Sequence, residues 1–480
     1  MGSSRRKFLK DSASLFGGAV ASQMLLPSFT FAQGGPSFVK NLIYIDLPGG
    51  PDSRFVYHGI EGAAHDALYA RRPNLALTPS SILVPTNFDQ GSRENTVGFH
   101  PRWQTLMTQV NDLSKGANVA LICEAGNPGG HSRSHEIAQS QLRNGSTLDT
   151  AQVSAGWMGR LASTYSLPGM AVWSFGVNDP KFSSVDSQDR PFVVTSLTDV
   201  SFNDRNFGSF DCQNIFQGDQ HHPCWTSDRF SDSSDDSAFM RDTMRRLQDS
   251  SVDQPHLGQV LANTHESMFR AVPLATQMRT QFSVSNAVFD STTNNDNSAN
   301  SLARSSADIV RSLLYLNLSD SSPSSVRSGT KVFATQYGGW DTHGGQAYNQ
   351  GQDGTLPNNI RVLSDAIAGM VYYLDLYGLL DSTIIFASGE FGRTNAQNGS
   401  VGTDHAEGGH FLVVGGSAVV RRGVFGPEPS VAQAESANFF SAQVPWTGIL
   451  RRILERGFDP SGLDSVFANP MPGSVPDFLV

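Results

Sequence analysis

Short apolar runs alternate with longer amphipathic stretches along this chain, and the two periods predict different elements. Residues 41–47 (Asn-Leu-Ile-Tyr-Ile-Asp-Leu) are almost continuously apolar and stop at Pro48-Gly49-Gly50-Pro51. That pattern predicts a strand buried on both faces and ended by a turn. Residues 117–123 predict a second such strand, and residues 382–388 the clearest one, with 410–414 following it. Shorter strands are expected at 169–175, 191–195 and 332–336. Between 360 and 380, Leu363, Ile367, Met370, Val371 and Leu374 recur at helical spacing, and Gly378 supplies a stop. Strands separated by helical stretches predict an α/β fold, with a mainly parallel central sheet covered by helices on both faces.

Two regions break this pattern. Residues 201–330 are dense in Ser, Asp and Asn, with helical stretches near 238–248, 257–279 and 302–316. They predict a helical Ser/Asp-rich insertion with solvated connections, and none of the acidic runs has EF-hand spacing. At the other end, Arg5-Arg6-Lys7-Phe8-Leu9-Lys10 precedes a mildly apolar stretch, 13–31, diluted by Ser14, Gly17, Gly18, Ser22 and Gln23. Small residues at Thr30 and Ala32 complete a twin-arginine signal peptide over 1–32. The expected partner is the twin-arginine export machinery, and the expected location is periplasmic or secreted. Residues 38–480 would form one domain. No membrane span is expected in the mature form, because no segment beyond the signal is long and apolar enough.

Charge narrows the partners. The chain has 34 basic and 44 acidic side chains, a formal −10, and removal of a signal carrying +3 leaves the mature part near −13. A phosphate backbone needs a basic face, so no nucleic acid is expected. Cys212 and Cys224 lie in one loop-like stretch, within reach of pairing in an oxidising compartment. Cys123 falls in an apolar run and is expected to be a buried thiol.

The chemistry-bearing residues fall just beyond the predicted strands, where an open α/β sheet binds its ligands. Asp46 and Asp52 bracket the first turn. His131-Ser132-Arg133-Ser134-His135-Glu136 follows the second strand. Asp341-Thr342-His343 follows the strand at 332–336, Glu390-Phe391-Gly392-Arg393 the strand at 382–388, and Asp404-His405 leads to His410. Taken singly, each cluster is an ordinary turn. Together they place His131, His135, His343, His405 and His410 among carboxylates. Mixed imidazole–carboxylate sites suit a divalent metal such as Zn or Mn, and two ions would clamp a phosphoryl or sulfuryl transfer. Ser134 or Ser132 is the candidate nucleophile, unless both merely cap the next helix. Arg133 and Arg393 are candidates to hold an oxyanion.

With these motifs assembled, the chain resembles the twin-arginine-exported bacterial proteins catalogued as domain of unknown function 1501. The resemblance rests on Asn41–Asp52 with Gly49-Gly50, His100-Pro101, and Arg133-Ser134-His135 with Gln139. It continues through Gly156-Trp157-Met158-Gly159-Arg160, Gly339 to His343, Glu390 to Thr394, and Gly402 to His410 with Gly415-Gly416. It implies an alkaline-phosphatase-like fold similar to that of sulfatases. It also implies a serine-nucleophile, metal-dependent hydrolase of small-molecule or polymer phosphate or sulfate esters. In that superfamily's pattern Asp46, or Asp52, is the first-strand ligand and Ser134 the nucleophile. Asp341, His343, Asp404, His405 and His410 are the remaining ligands, with Glu390 at a strand-end position where a metal Asp is usual. The alternative is a catalytically inactive exported binding or surface-assembly protein on the same fold.

Overall fold

A computed structural model describes residues 38–57, 59–93, 96–129, 133–147, 156–167, 171–176, 192–194, 196–197, 274–295, 298–322, 324–467 and 470–480. The signal segment, His131, Ser132, Cys212, Cys224 and most of the Ser/Asp-rich middle lie outside them.

Among the described residues eleven strands run in chain order: β1 (Asn41–Asp46), β2 (Gly59–Glu61), β3 (Thr96–Val97), β4 (Ala117–Gly126), β5 (Val172–Phe175), β6 (Phe192–Val194), β7 (Lys331–Gln336), β8 (Thr383–Ser388), β9 (Gly409–Gly416), β10 (Gly423–Phe425) and β11 (Val444–Pro445). β2 and β3 pair with each other, and the other nine form one sheet ordered β10-β4-β9-β8-β1-β7-β5-β6, with β11 also on β4. Every pairing in this sheet is parallel except those of β9, which runs antiparallel to both β4 and β8. The result is a mixed α/β fold around a mostly parallel sheet.

β1 explains why the sheet is covered twice. Its alternate residues point to opposite faces, and all six are buried. Ile43 and Ile45 join one apolar cluster, while Leu42 and Tyr44 join the other. The first cluster is closed by helices Gln104–Asn111, Ser301–Leu318 and Thr355–Leu376, the second by Trp157–Thr164, Trp446–Leu454 and Pro460–Val466. The helix expected at 360–380 begins earlier, at Thr355, because Pro357 falls in its first turn, where no backbone donor is required. It ends at Leu376, with Gly378 in the left-handed region at φ 70°. Ser301–Leu318 packs into the core against that helix, so this end of the expected insertion belongs to the main body. Cys123 is buried and free, and burial pushes its thiol up to about 12. Among the described residues, no helix is long and apolar enough to cross a membrane.

The register aligns the exits. Asp46 lies beside Gln336 of β7 and Ser388 of β8. The loops after β1, β7 and β8 therefore leave the sheet side by side. Because β9 is reversed, its first residue, Gly409, opens at the same rim, opposite Ala125 at the end of β4.

Candidate metal centre

Four loop segments meet at this rim. The loop after β4 leads into helix His135–Asn144, with Ser134 at its N-cap and His135 as its first residue. The loop after β7 carries Asp341 and His343, the loop after β8 carries Glu390 and Arg393, and the approach to β9 carries Asp404 and His405. The segments 341–343 and 404–405, 61 residues apart at their closest bonded pair, are in direct contact: His343 Nδ1 lies 3.0 Å from Asp404 Oδ1.

Three imidazoles point their Nε2 atoms at one carboxylate oxygen. Asp341 Oδ1 is 3.0 Å from His343 Nε2, 3.2 Å from His405 Nε2 and 3.3 Å from His135 Nε2. His343 Nε2 and His405 Nε2 are themselves 2.8 Å apart. His135, Asp341 and His405 offer ligand atoms within 4.8 Å of one another, a group able to hold a metal ion.

The far side of each ring is also held. His135 Nδ1 is 2.7 Å from Glu390 Oε1, His343 Nδ1 faces Asp404, and His405 Nδ1 is 2.7 Å from the backbone oxygen of Arg133. A carbonyl oxygen only accepts, so His405 Nδ1 carries the proton and Nε2 keeps its lone pair. The two carboxylates impose the same tautomer on His135 and His343. Such outer partners orient metal-binding imidazoles and raise their basicity. Without a proton or a cation between them, lone pairs 2.8 Å apart on His343 and His405 repel.

Glu390 is the anchor below. Its side chain is fully buried and accepts the N–H groups of Gly49 and Gly50 at 2.9 and 3.1 Å and the Gln139 amide at 3.2 Å, besides His135. Gly49 reaches this contact with φ 118°, and a Cβ there would stand 2.5 Å from the Asp341 nitrogen, so only glycine fits. Arg393, also buried, ties the loops together. It donates to the carbonyls of Gly49, Gly50 and Thr403 and, at 2.5 Å, to Asp341 Oδ1.

The charges follow from these contacts. Burial pushes the Asp341 carboxyl up, but the hydrogen bond and charge of Arg393 beside it outweigh this and leave it near 2. The Glu390 hydrogen bond raises His135, whereas burial lowers His405. Hydrogen bonds from His343 and Asn398 hold Asp404 below the usual carboxylate range.

The match with one family decides the relationship. Residues 40–444 match the family described as protein of unknown function (DUF1501). The chain belongs to DUF1501. A search of curated proteins found no match. The DUF1501 region runs from the residue before β1 to the start of β11 and so contains every side chain of the rim cluster.

The structure gathers some of the expected site residues and not others. Asp341, His343 and His405 converge. Asp404 and Glu390 sit one layer out, bonded to imidazoles. Asp46 and Asp52 are buried elsewhere: Asp46 faces Arg143 at 3.5 Å, while Asp52 takes two bonds from Arg72, at 2.9 and 3.1 Å, and one from Gln346 at 2.7 Å. His410 stacks on Tyr57, ring centroids 6.2 Å apart, and burial holds it well below the usual imidazole range. Ser134 is exposed beside His135, and Arg133 is exposed with its guanidinium 4.6 Å over the Phe439 ring. The sequence marks His135 as a post-strand histidine and, with Gln139, as part of the family resemblance, but not as a ligand. Its pairing with Gln139, one helical turn on and bonded to the same carboxylate, was the signal for a ligand.

Proposed function

We propose that this protein is an exported, metal-dependent hydrolase of phosphate or sulfate esters on an alkaline-phosphatase-like fold, working in the periplasm or outside the cell. One observation carries the proposal: three imidazole nitrogens and a carboxylate oxygen converge at an open rim, with the opposite ring nitrogens held by acceptors. Residues His135, Asp341 and His405, with His343 beside them, would hold a divalent ion of the Zn or Mn kind, since imidazole donors disfavour Mg²⁺ and Ca²⁺. A bound ion of this kind supplies Lewis-acid polarisation of a phosphoryl or sulfuryl oxygen.

The chain's own groups do the rest. Asp341 and His343 are exposed by 45% and 44%, so an ester reaches the centre from solvent. Ser134 Oγ, next to His135, would attack the phosphorus or sulfur as the ester bond to the alcohol breaks, its hydroxyl proton ending on the departing alcohol. Water would then cleave the seryl ester to release phosphate or sulfate and restore the serine. The N-terminus of the ten-residue helix His135–Asn144 favours the anionic group beside Ser134. Arg133 adds a cation on the exposed side.

Metal content of the purified mature protein, followed by a screen of aryl phosphates and aryl sulfates, tests this. The expected result is chelator-sensitive hydrolysis that is abolished in Ser134→Ala with the metal retained. Metal-loaded protein inert toward both ester classes would refute the hydrolase and support the binding-protein alternative.

A further inference from the structure

An alkaline-phosphatase-like fold implies two ions, and the side chains of this rim do not fit two. We infer that the centre holds a single divalent transition ion, ligated by His135, His343, His405 and Asp341. The inference rests on the metal reading above but not on the reaction.

A second ion needs a second set of anionic or imidazole donors gathered at one point, and the candidates among the described residues lie in separate contacts. Asp52 is neutralised by Arg72 in a two-point contact, its remaining capacity taken by Gln346, with both ionic partners about 1% exposed. Asp46 is buried beside the Arg143 guanidinium. Turning Asp52 toward a metal would strand the buried Arg72. Glu390 spends its two oxygens on four donors. Asp404 serves the His343 ring and the Asn398 amide. His410 lies in the layer formed with Tyr57. What remains is one point where three Nε2 lone pairs and one carboxylate oxygen meet.

His343 is the residue that makes this a four-ligand site. Its Nε2 is 3.0 Å from Asp341 Oδ1 and 2.8 Å from His405 Nε2, a spacing that one shared cation relieves. Three imidazoles and a carboxylate select a first-row transition ion over Mg²⁺ or Ca²⁺. The charge that a second ion would carry must then come from the chain. Arg393 is buried and spends its N–H groups on carbonyls and Asp341. Among the described residues of the rim, the exposed Arg133, whose backbone oxygen already holds His405, is a cation placed to meet an oxyanion.

Titration of chelator-stripped mature protein with CoCl₂, followed by visible d–d absorbance and by elemental analysis after dialysis, tests the inference. The expected saturation is at one Co²⁺ per chain. His343→Ala should alter the band intensities, because ligand number changes, and weaken binding by more than about tenfold. Asp46→Asn should leave the spectrum and the single equivalent unchanged. Saturation at two equivalents would overturn the inference, as would a His343→Ala variant with the parent's spectrum and affinity. The parent stoichiometry decides the ion count even where a variant misfolds. The reaction is judged separately: one equivalent without turnover removes the hydrolase and leaves the single-ion centre, and two equivalents with turnover do the reverse.

Discussion

Replacing Glu390 by Gln exchanges one oxygen for an amide at the most heavily used carboxylate of the rim. Oε1 serves His135 and Gln139 and shares Gly49 with Oε2, which also serves Gly50. A glutamine has one acceptor oxygen. Placed toward His135, it turns its NH₂ on the Gly50 N–H. Placed toward Gly50, it turns its NH₂ on His135 Nδ1, which must give up its proton and move it to Nε2, ending that atom's use as a ligand. Loss of an outer partner of this kind costs about 10–100-fold in metal affinity, or roughly 1.4–2.7 kcal/mol. One buried donor left opposed adds about 1–3 kcal/mol of lost folding stability. Competition against a chromophoric chelator, with Zn²⁺ or Co²⁺ as the probe, measures the first quantity, and urea unfolding measures the second. A folded Glu390→Gln protein binding metal within about threefold of the parent would refute the argument that Glu390 sets the tautomer of His135.

Other expectations test the frame around the centre. His100 is buried, its Nδ1 accepting from the Arg102 amide and its Nε2 facing the Gly351 carbonyl; burial lowers it to about 4. The unfolded chain, with an ordinary value near 6.5, binds more protons below that pH. Stability is therefore complete above about 6.5 and falls as the pH drops toward 4, by roughly 2 kcal/mol between pH 7 and 4.5. Urea unfolding of parent and His100→Gln at the two pH values should show this extra loss in the parent alone, and equal losses would dismiss it. Gly49→Ala should cost roughly 1–3 kcal/mol and release metal as well, because the added methyl meets the backbone of Asp341; chelator competition and melting check both. Arg54→Met strips the partner from the buried Glu124 carboxylate, 2.7 Å away, and should destabilise by about 3–5 kcal/mol in urea. At pH 8 Cys123 should resist iodoacetamide in folded protein and react after unfolding, as read by mass spectrometry of its peptide.

The sheet was legible because burial on both faces writes itself as unbroken apolar runs. Residues 41–47, 117–123 and 382–388 each became a strand to within three residues at either end. Direction is not encoded in such runs, and β9 shows it. A signal was nevertheless present. The 20 residues between β8 and β9 hold five glycines and no helical period, and a parallel crossover needs a helix or similar span. The site was legible only as a class of loops. Whether an acidic side chain faces a metal or a guanidinium depends on partners far along the chain. Arg72 claims Asp52 and Arg143 claims Asp46 across 20 and 97 residues, and Glu390 reaches His135 across 255. No local spacing carries that information.

The reversal of β9 has a kinetic meaning. The 389–408 loop starts and ends on neighbouring strands, and its two limbs are zipped by Gly392–Glu407, Ala406–Gly392 and Thr394–Asp404 backbone bonds, with Arg393 opposite His405. It is a ribbon standing on the rim, with the ligand His405 on its return limb and Glu390, the tether of His135, on its outgoing limb. Fraying this ribbon dismantles the centre while the nine-stranded sheet stays paired. Loss of the ion to a strong chelator should thus be fast compared with global unfolding, and its rate should track opening of these few bonds.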